Sequence, residues 1–281
     1  MTQAEGLLLV DKPAGITSHD VVDSVRRTLA TRKVGHAGTL DPMATGLLLI
    51  GVGRATRLLR FLGALAKTYE GTLRLGVETD TLDADGTVVR ESPMEITEEQ
   101  VSEAMRSRVG ESLQRPPDYS AVKVGGRKLY DAARQGDRLE AKPRPIRVDA
   151  FDLLSFAPPD ATFRVTCSGG TYVRVLASDV GTALSCGAHL TALRRTAIGP
   201  HPVEDAVAPD DVGDPLPVHA AVGHLPRLDL EAEEAVAASH GRPLGPAGLA
   251  GPYAVFGPDG LLIGVYEDDG PRARPRVILA G

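Results

Sequence analysis

Three glycines, a histidine and an Asp-Pro pair share the twelve residues from Gly35 to Gly46. Glycine opens backbone paths that a Cβ blocks and lets a ligand approach the main chain closely. Asp41 stands before Pro42, which biases it toward extended backbone at the end of the loop. A carboxylate held this way can act as nucleophile, general base or metal ligand. An Asp-Pro turn with a local side-chain hydrogen bond accounts for the same residues. Directly afterwards, Leu47–Val52 is an unbroken apolar run of strand length, so the loop feeds straight into a buried strand.

The rest of the chain is broken into short elements. With 31 Gly and 21 Pro in 281 residues, turns are frequent, yet 42% apolar and 24% charged residues exclude a disordered or fibrous chain. Gly6–Val10 reads as a buried strand closed by the turn at 11–15. Thr17 or Ser18 caps a helix with Val21, Val22, Val25 and Leu29 on its apolar face. Residues 33–46 read as loop, Ala55–Leu62 as a short helix and Tyr69–Leu75 as an alternating strand. Thr97 with Gln100 forms a capping box for a helix through Val101, Met105 and Val109. Gly125-Gly126 marks a hairpin turn within the loosely patterned stretch 114–145. Paired strands are expected at Arg147–Phe156 and Thr162–Ser168, a helix over 172–184, a strand at His189–Arg194, and a surface connection over 200–217. A short helix near 231–240 and strands at Tyr253–Phe256, Leu261–Tyr266 and Arg274–Leu279 complete an α+β picture with a small β-rich C-terminal module.

Several classes drop out. No apolar run approaches the roughly 18 residues of a membrane span, and the N-terminus lacks the basic flank and apolar core of a signal peptide, so a cytoplasmic protein with no membrane contact is expected. Cys167 and Cys186 cannot build a disulfide framework. Cys186 with His189 is half a zinc site without a second pair, so no metal is expected. Neither G-x-G-x-x-G nor a P-loop is present. The net charge of −6 is unevenly placed: residues 105–147 hold eleven basic against five acidic side chains, a net of +6. Phosphate binding needs only the contacting face to be positive. A solvated loop has the same composition, and charge alone does not choose between them.

Taken together, the motifs resemble those of the TruB family, the bacterial tRNA pseudouridine-55 synthases. The loop 35–46 is similar to the family signature, Gly6–Ser18 to its opening strand and turn, and Lys67-Thr68-Tyr69-Glu70 to its second motif. The run from Leu75-Gly76 through Thr79–Gly86 resembles the third, and Pro116-Pro117 with Tyr119–Lys123 the start of its insertion. Ser168–Arg174 resembles the motif with the active-site arginine, and Leu193-Arg194-Arg195 the closing one. These stand in family order over residues 6–199.

The resemblance implies a mixed, mainly antiparallel sheet of pseudouridine-synthase type and isomerisation of the T-loop uridine-55 of tRNA. It implies Asp41 as catalytic aspartate, Arg174 as its partner, and Tyr69 as a base-packing tyrosine that is also a candidate for the proton step at C5. Tyr172 and Leu193 are implied as substrate contacts, and His36 as a support for extruded loop nucleotides. Read without the family, Tyr69 is a core side chain and Arg174 an exposed helix residue. Asp83 sits in an acidic turn that can order the loop and ranks below Asp41. The basic insertion, about 114–145, becomes a clamp whose candidate phosphate contacts are Lys123, Arg127, Lys128, Arg134 and Arg138. Residues 1–225 are then the catalytic domain and 226–281 a shortened RNA-binding module of PUA type. The expected enzyme is a monomer that binds the T-arm of tRNA and uses no cofactor and no guide RNA. A tRNA-folding chaperone is the alternative, and a guide-dependent relative that modifies ribosomal RNA a third reading.

Overall fold

The computed structural model describes residues 4–120, 122–137 and 139–279. Arg138 lies outside the described residues, as does the side chain of Lys128. The main sheet runs, in spatial order, Gly6–Lys12, Thr45–Val52, Ala188–Ile198, Lys67–Leu75, Asp160–Cys167, Arg144–Ala157 and Gly110–Gln114. Val34–His36 and His201–Pro202 pair onto its flank. Thr45–Val52 and Ala188–Ile198 run parallel; the other strand pairings in this sheet are antiparallel.

Burial follows the sequence pattern. The apolar runs of Gly6–Lys12 and Thr45–Val52 are buried on both faces, whereas Lys67–Leu75 buries alternate residues. The helix Ser18–Thr28 starts at a capping box of Thr17 and Asp20 and packs Val21, Val22 and Val25 against Leu8, Val10, Leu48 and Ile50. The helix Glu98–Arg106 opens at the capping box of Thr97 and Gln100. It ends before Val109, which is 45% exposed, so the expected apolar face is one turn shorter. Part of the expected loop 33–46 is a strand: Val34–His36 pairs with Ile50–Val52. The stretch 200–217 is more than a surface connection, since Val207 and Leu216 bridge to Val10 and Leu7 along the first strand.

The insertion folds as a hairpin, Lys123–Val124 against Arg127–Lys128, followed by the helix Leu129–Arg134. Gly125 and Gly126 turn it at φ 58° and 87°, the left-handed pair that a two-residue hairpin demands. At the C-terminal end the sheet gains a strand over the three expected: Arg227–Asp229, Pro252–Phe256, Leu262–Asp269 and Arg272–Ile278. Its own core holds Leu230, Ala238, Tyr253, Val255 and Tyr266. Its other face lays Ala254, Phe256 and Val265 against Leu47, Leu49 and Leu58 of the main body.

Candidate active site

The loop bearing Asp41 is fixed from below. Lys12, fully buried, donates to the carbonyls of Pro13 at 2.8 Å, Ile16 at 2.7 Å and Pro42 at 3.2 Å. Leu40 N–H donates to Ser18 Oγ at 2.9 Å. Arg195, 1% exposed, donates from Nε to the Leu47 carbonyl at 2.6 Å and from Nη2 to that of Gly38 at 3.1 Å. At Gly46, φ is 102° and a Cβ would stand 2.3 Å from the Arg195 carbonyl oxygen, so only glycine closes this loop.

Arg174 occupies the first turn of the helix Val173–Ala183. Its side chain is 5% exposed, which overturns the reading of an exposed helix residue. Nη2 and Nε stand 3.4 Å from Asp41 Oδ1 and Oδ2 respectively. That is longer than a well-formed charge-assisted bond, and the pair orients Asp41 without saturating its oxygens. Arg174 Nη1 reaches Asp83 Oδ2 at 3.3 Å and the Thr81 carbonyl at 3.2 Å, while Nη2 donates to the Tyr119 carbonyl at 2.6 Å. Asp83 is thereby part of the same network as Asp41, closer to the chemistry than an ordering role in its turn implied. Burial pushes the Asp41 carboxyl above the usual carboxylate value; Arg174 opposes the rise, and Asp83 and Asp85 add to it.

A cleft of about 270 Å³ opens at this pair, and Tyr69, Tyr172, Leu193 and Arg195 line it with Asp41 and Arg174. Tyr69 and Leu193 come from adjacent strands, with Arg195 as the register partner of Tyr69. The Arg195 guanidinium lies 5.9 Å from the Tyr69 ring centre. Burial raises the Tyr69 phenol, and Arg195 pulls it down. Tyr172 caps the Arg174 helix, and Gln114 grips its main chain: Nε2 donates to the Tyr172 carbonyl at 3.1 Å, and Tyr172 N–H donates to Oε1 at 2.8 Å. Arg144 stands 4.8 Å from the Tyr172 ring centre.

His36 is not brought into this cleft. It sits in the strand Val34–His36, where burial, Arg195 and His19 hold its imidazole below the ordinary value. In the insertion, Lys123 is exposed, but Arg127 is engaged with Gln135 at 2.8 Å and Asp137 at 2.9 Å. Arg134 lies 5.2 Å from the Tyr130 ring centre, and both face a hollow of about 610 Å³ that also borders Asp41, Asp83 and Tyr119. Among the described residues no three His, Cys, Asp or Glu side chains form a metal-holding group.

Sequence reasoning assigned no role to Lys67, Gln114, Arg144 or Arg195. A signal existed for Lys67, two residues before Tyr69 and therefore on the same strand face.

A family model described as "TruB family pseudouridylate synthase (N terminal domain)" matches residues 26–173. Models described as "tRNA pseudouridylate synthase B C-terminal domain" and "tRNA Pseudouridine synthase II, C terminal" match residues 174–221 and 225–280. A protein of Mycobacterium sp. (strain KMS) named tRNA pseudouridine synthase B is 47% identical over 284 residues, covering 98% of this chain and 96% of that protein. One of the same name from Thermobifida fusca (strain YX) is 46% identical over 291 residues, covering 99% of each. The fold is similar to that in a crystal structure of a Cbf5-Nop10-Gar1 complex, with a TM-score of 0.75 and 24% identity, over 99% of this chain and 85% of that one. The family models and the relatives at 46–47% identity make this a pseudouridylate synthase, with a fold to match. Within that class, the chain belongs to the TruB family.

Proposed function

We propose that this enzyme converts uridine-55 in the T-loop of tRNA to pseudouridine. It acts as a monomer in the cytoplasm, without guide RNA or cofactor. The observation that carries this reading is the Asp41–Arg174 pair set against Tyr69 and Leu193 in one cleft. The reaction breaks the N1–C1′ bond, turns the uracil and joins C5 to C1′, with no net redox change and no second substrate. A carboxylate suits the electron-poor C1′ or C6, and Arg174 holds Asp41 ionised against the burial that raises it. The target base must leave its stack, and an aromatic ring with an apolar partner offsets the few kcal/mol of unstacking.

In this reading Tyr69 and Leu193 pack on the flipped base, Tyr172 contacts the nucleoside, and His36 supports the neighbouring extruded nucleotides. Residues 1–225 form the catalytic domain. The insertion at 114–145 clamps the T-arm, with Lys123 and Arg134 as its foremost phosphate contacts, and residues 226–281 are a further RNA-binding module. The test is direct: an unmodified tRNA transcript is incubated with the purified protein alone and pseudouridine is mapped. Modification of the T-loop uridine is expected. Modification at another position, or only after a guide RNA is added, overturns the reading.

A further inference from the structure

Two lysines are buried near the cleft, and their N–H groups are engaged differently. Lys12 directs its ammonium at three carbonyls. Lys67 directs its own at two, those of Gly63 at 2.8 Å and Leu65 at 2.9 Å; among the described residues no third acceptor meets it, and no carboxylate pairs with it. Lys67 is 4% exposed and lines the cleft with Asp41, Tyr69 and Arg195. Glycines keep room around it: a Cβ at Gly169 would stand 3.3 Å from Nζ, and one at Gly38 3.4 Å from Cε. Two cations side by side in a wall, without a counter-ion, are costly to bury. Such an arrangement fits a site where negative charge develops during reaction.

We infer that Lys67, with Arg195 behind it, stabilises the electron pair carried by the uracil ring while that ring is detached from the sugar. The inference rests on the isomerase reading and adds a polar group to the same cleft. When N1–C1′ breaks, the pair stays on the ring, spread over N1, O2 and O4, and C1′ becomes electron-poor beside the Asp41 carboxylate. After the ring turns, a pair from C5 forms the bond to C1′, the C5 proton departs and N1 takes up a proton. Atoms and electrons balance without another reactant. The carboxylate serves the sugar, and the ammonium serves the base.

Single-turnover rates of Lys67→Met and Lys67→Arg on unmodified tRNA, from neutral to alkaline pH, test this, with affinity and melting temperature measured alongside. Lys67→Met is expected to slow the reaction roughly 100-fold, as loss of a preorganised donor does, with affinity within about threefold of wild type. Lys67→Arg retains most of the rate at neutral pH. Burial and Arg195 lower the Lys67 ammonium to about 8, so the wild-type rate falls above that pH as the charge is lost. In Lys67→Arg this fall is smaller, because a guanidinium stays protonated. The charged groups around Lys67 are Arg195 on an adjoining strand and Asp41, Arg144 and Arg174 across the cleft, and the titratable Cys167 lies on the other adjoining strand. Burial lifts the Cys167 thiol to about 11, beyond this limb. Burial also lowers Lys12, under the Asp41 loop, to about 8, so an alkaline fall as deep in Lys67→Arg as in wild type overturns the inference, as does a folded Lys67→Met that turns over within about threefold of wild type. If Lys67→Met does not fold, the Lys67→Arg profile decides alone. A wild-type protein that makes no pseudouridine overturns the isomerase reading itself, a result no Lys67 variant mimics.

Discussion

The two sheets fill their interiors differently. Around the main sheet the buried side chains include Lys12, Lys67, Asp83, Arg174 and Arg195. Among the described residues the C-terminal sheet buries no lysine, arginine or carboxylate, and its centre is Tyr253, Val255, Tyr266 and Ala273. Its polar atoms there are satisfied: Tyr266 donates its hydroxyl to carbonyls of Ala238 at 2.9 Å and Arg242 at 3.1 Å, and Tyr253 donates to Asp268 at 2.7 Å. Burying charge opposes folding unless the geometry compensates. Three of these five, Lys67, Arg174 and Arg195, line the cleft, and Lys12 and Asp83 brace the loop and the arginine beside it, whereas the C-terminal sheet has an interior without charge.

Asp41→Asn breaks this comparison hardest. Pseudouridine is expected to fall below detection while tRNA affinity changes less than about tenfold, or ~1.4 kcal/mol. The folded state holds the Asp41 proton more tightly than the unfolded chain does, so its contribution to stability falls as pH rises from the ordinary carboxylate value through the raised one. Asparagine removes that penalty, and at neutral pH the variant is expected to melt no lower than wild type. A clearly lower melting temperature would make the charge structural.

Arg174→Lys comes next. A lysine keeps the charge but cannot face both Asp41 oxygens while holding Asp83 and the Tyr119 carbonyl. Small misplacements of reacting groups cost on the order of 100-fold, so a loss of at least about that size in single-turnover rate is expected, ~2.7 kcal/mol of barrier. Equal losses in rate and tRNA binding would place Arg174 on the RNA backbone instead.

Tyr266→Phe probes the other sheet. It removes one hydroxyl proton shared by two carbonyls, of which that of Ala238 keeps the Gly241 N–H at 2.9 Å, and about 0.5–1.5 kcal/mol of stability is expected to go, read by denaturant titration. The rate per folded molecule stays at the wild-type value; a slower folded enzyme would contradict the division of labour between the sheets.

The smallest effect lies in the insertion. Lys123→Ala is expected to flatten the log–log salt dependence of tRNA binding by about 0.9, the share of one phosphate contact. Arg127→Ala flattens it less, because Asp137 already neutralises Arg127. Equal slopes would mean that Arg127 leaves Asp137 when RNA binds.

Much of this was legible in the residues, because it is local. Apolar runs marked the buried strands, Thr17 and Thr97 sat at real caps, and Gly125-Gly126 at a real turn. Asp41 stood out because glycines flank it, and two of them, Gly38 and Gly46, hold φ of 111° and 102°. Other features depend on distant parts of the chain. The carbonyl partners of Arg195 lie 148 and 157 residues away in sequence, so nothing near Arg195 announces them. Val34–His36 was hidden because three residues beside glycines carry no periodicity. Val109 fitted the helix, but the chain leaves at Arg106 to supply the edge strand Gly110–Gln114. The charge count over 105–147 weighed Arg127 as free because composition is blind to pairing.

The strand Ala188–Ile198 lies between Thr45–Val52 and Lys67–Leu75, although both are made long before it. A growing polypeptide on the ribosome therefore holds two partial sheets with open edges, and only the late arrival of this strand joins them. Pairings of such long sequence separation close slowly, and the exposed edges are the surfaces by which unfinished chains aggregate. A product released before residue 188 lacks the strand that carries Leu193 and Arg195, and with it one wall of the cleft.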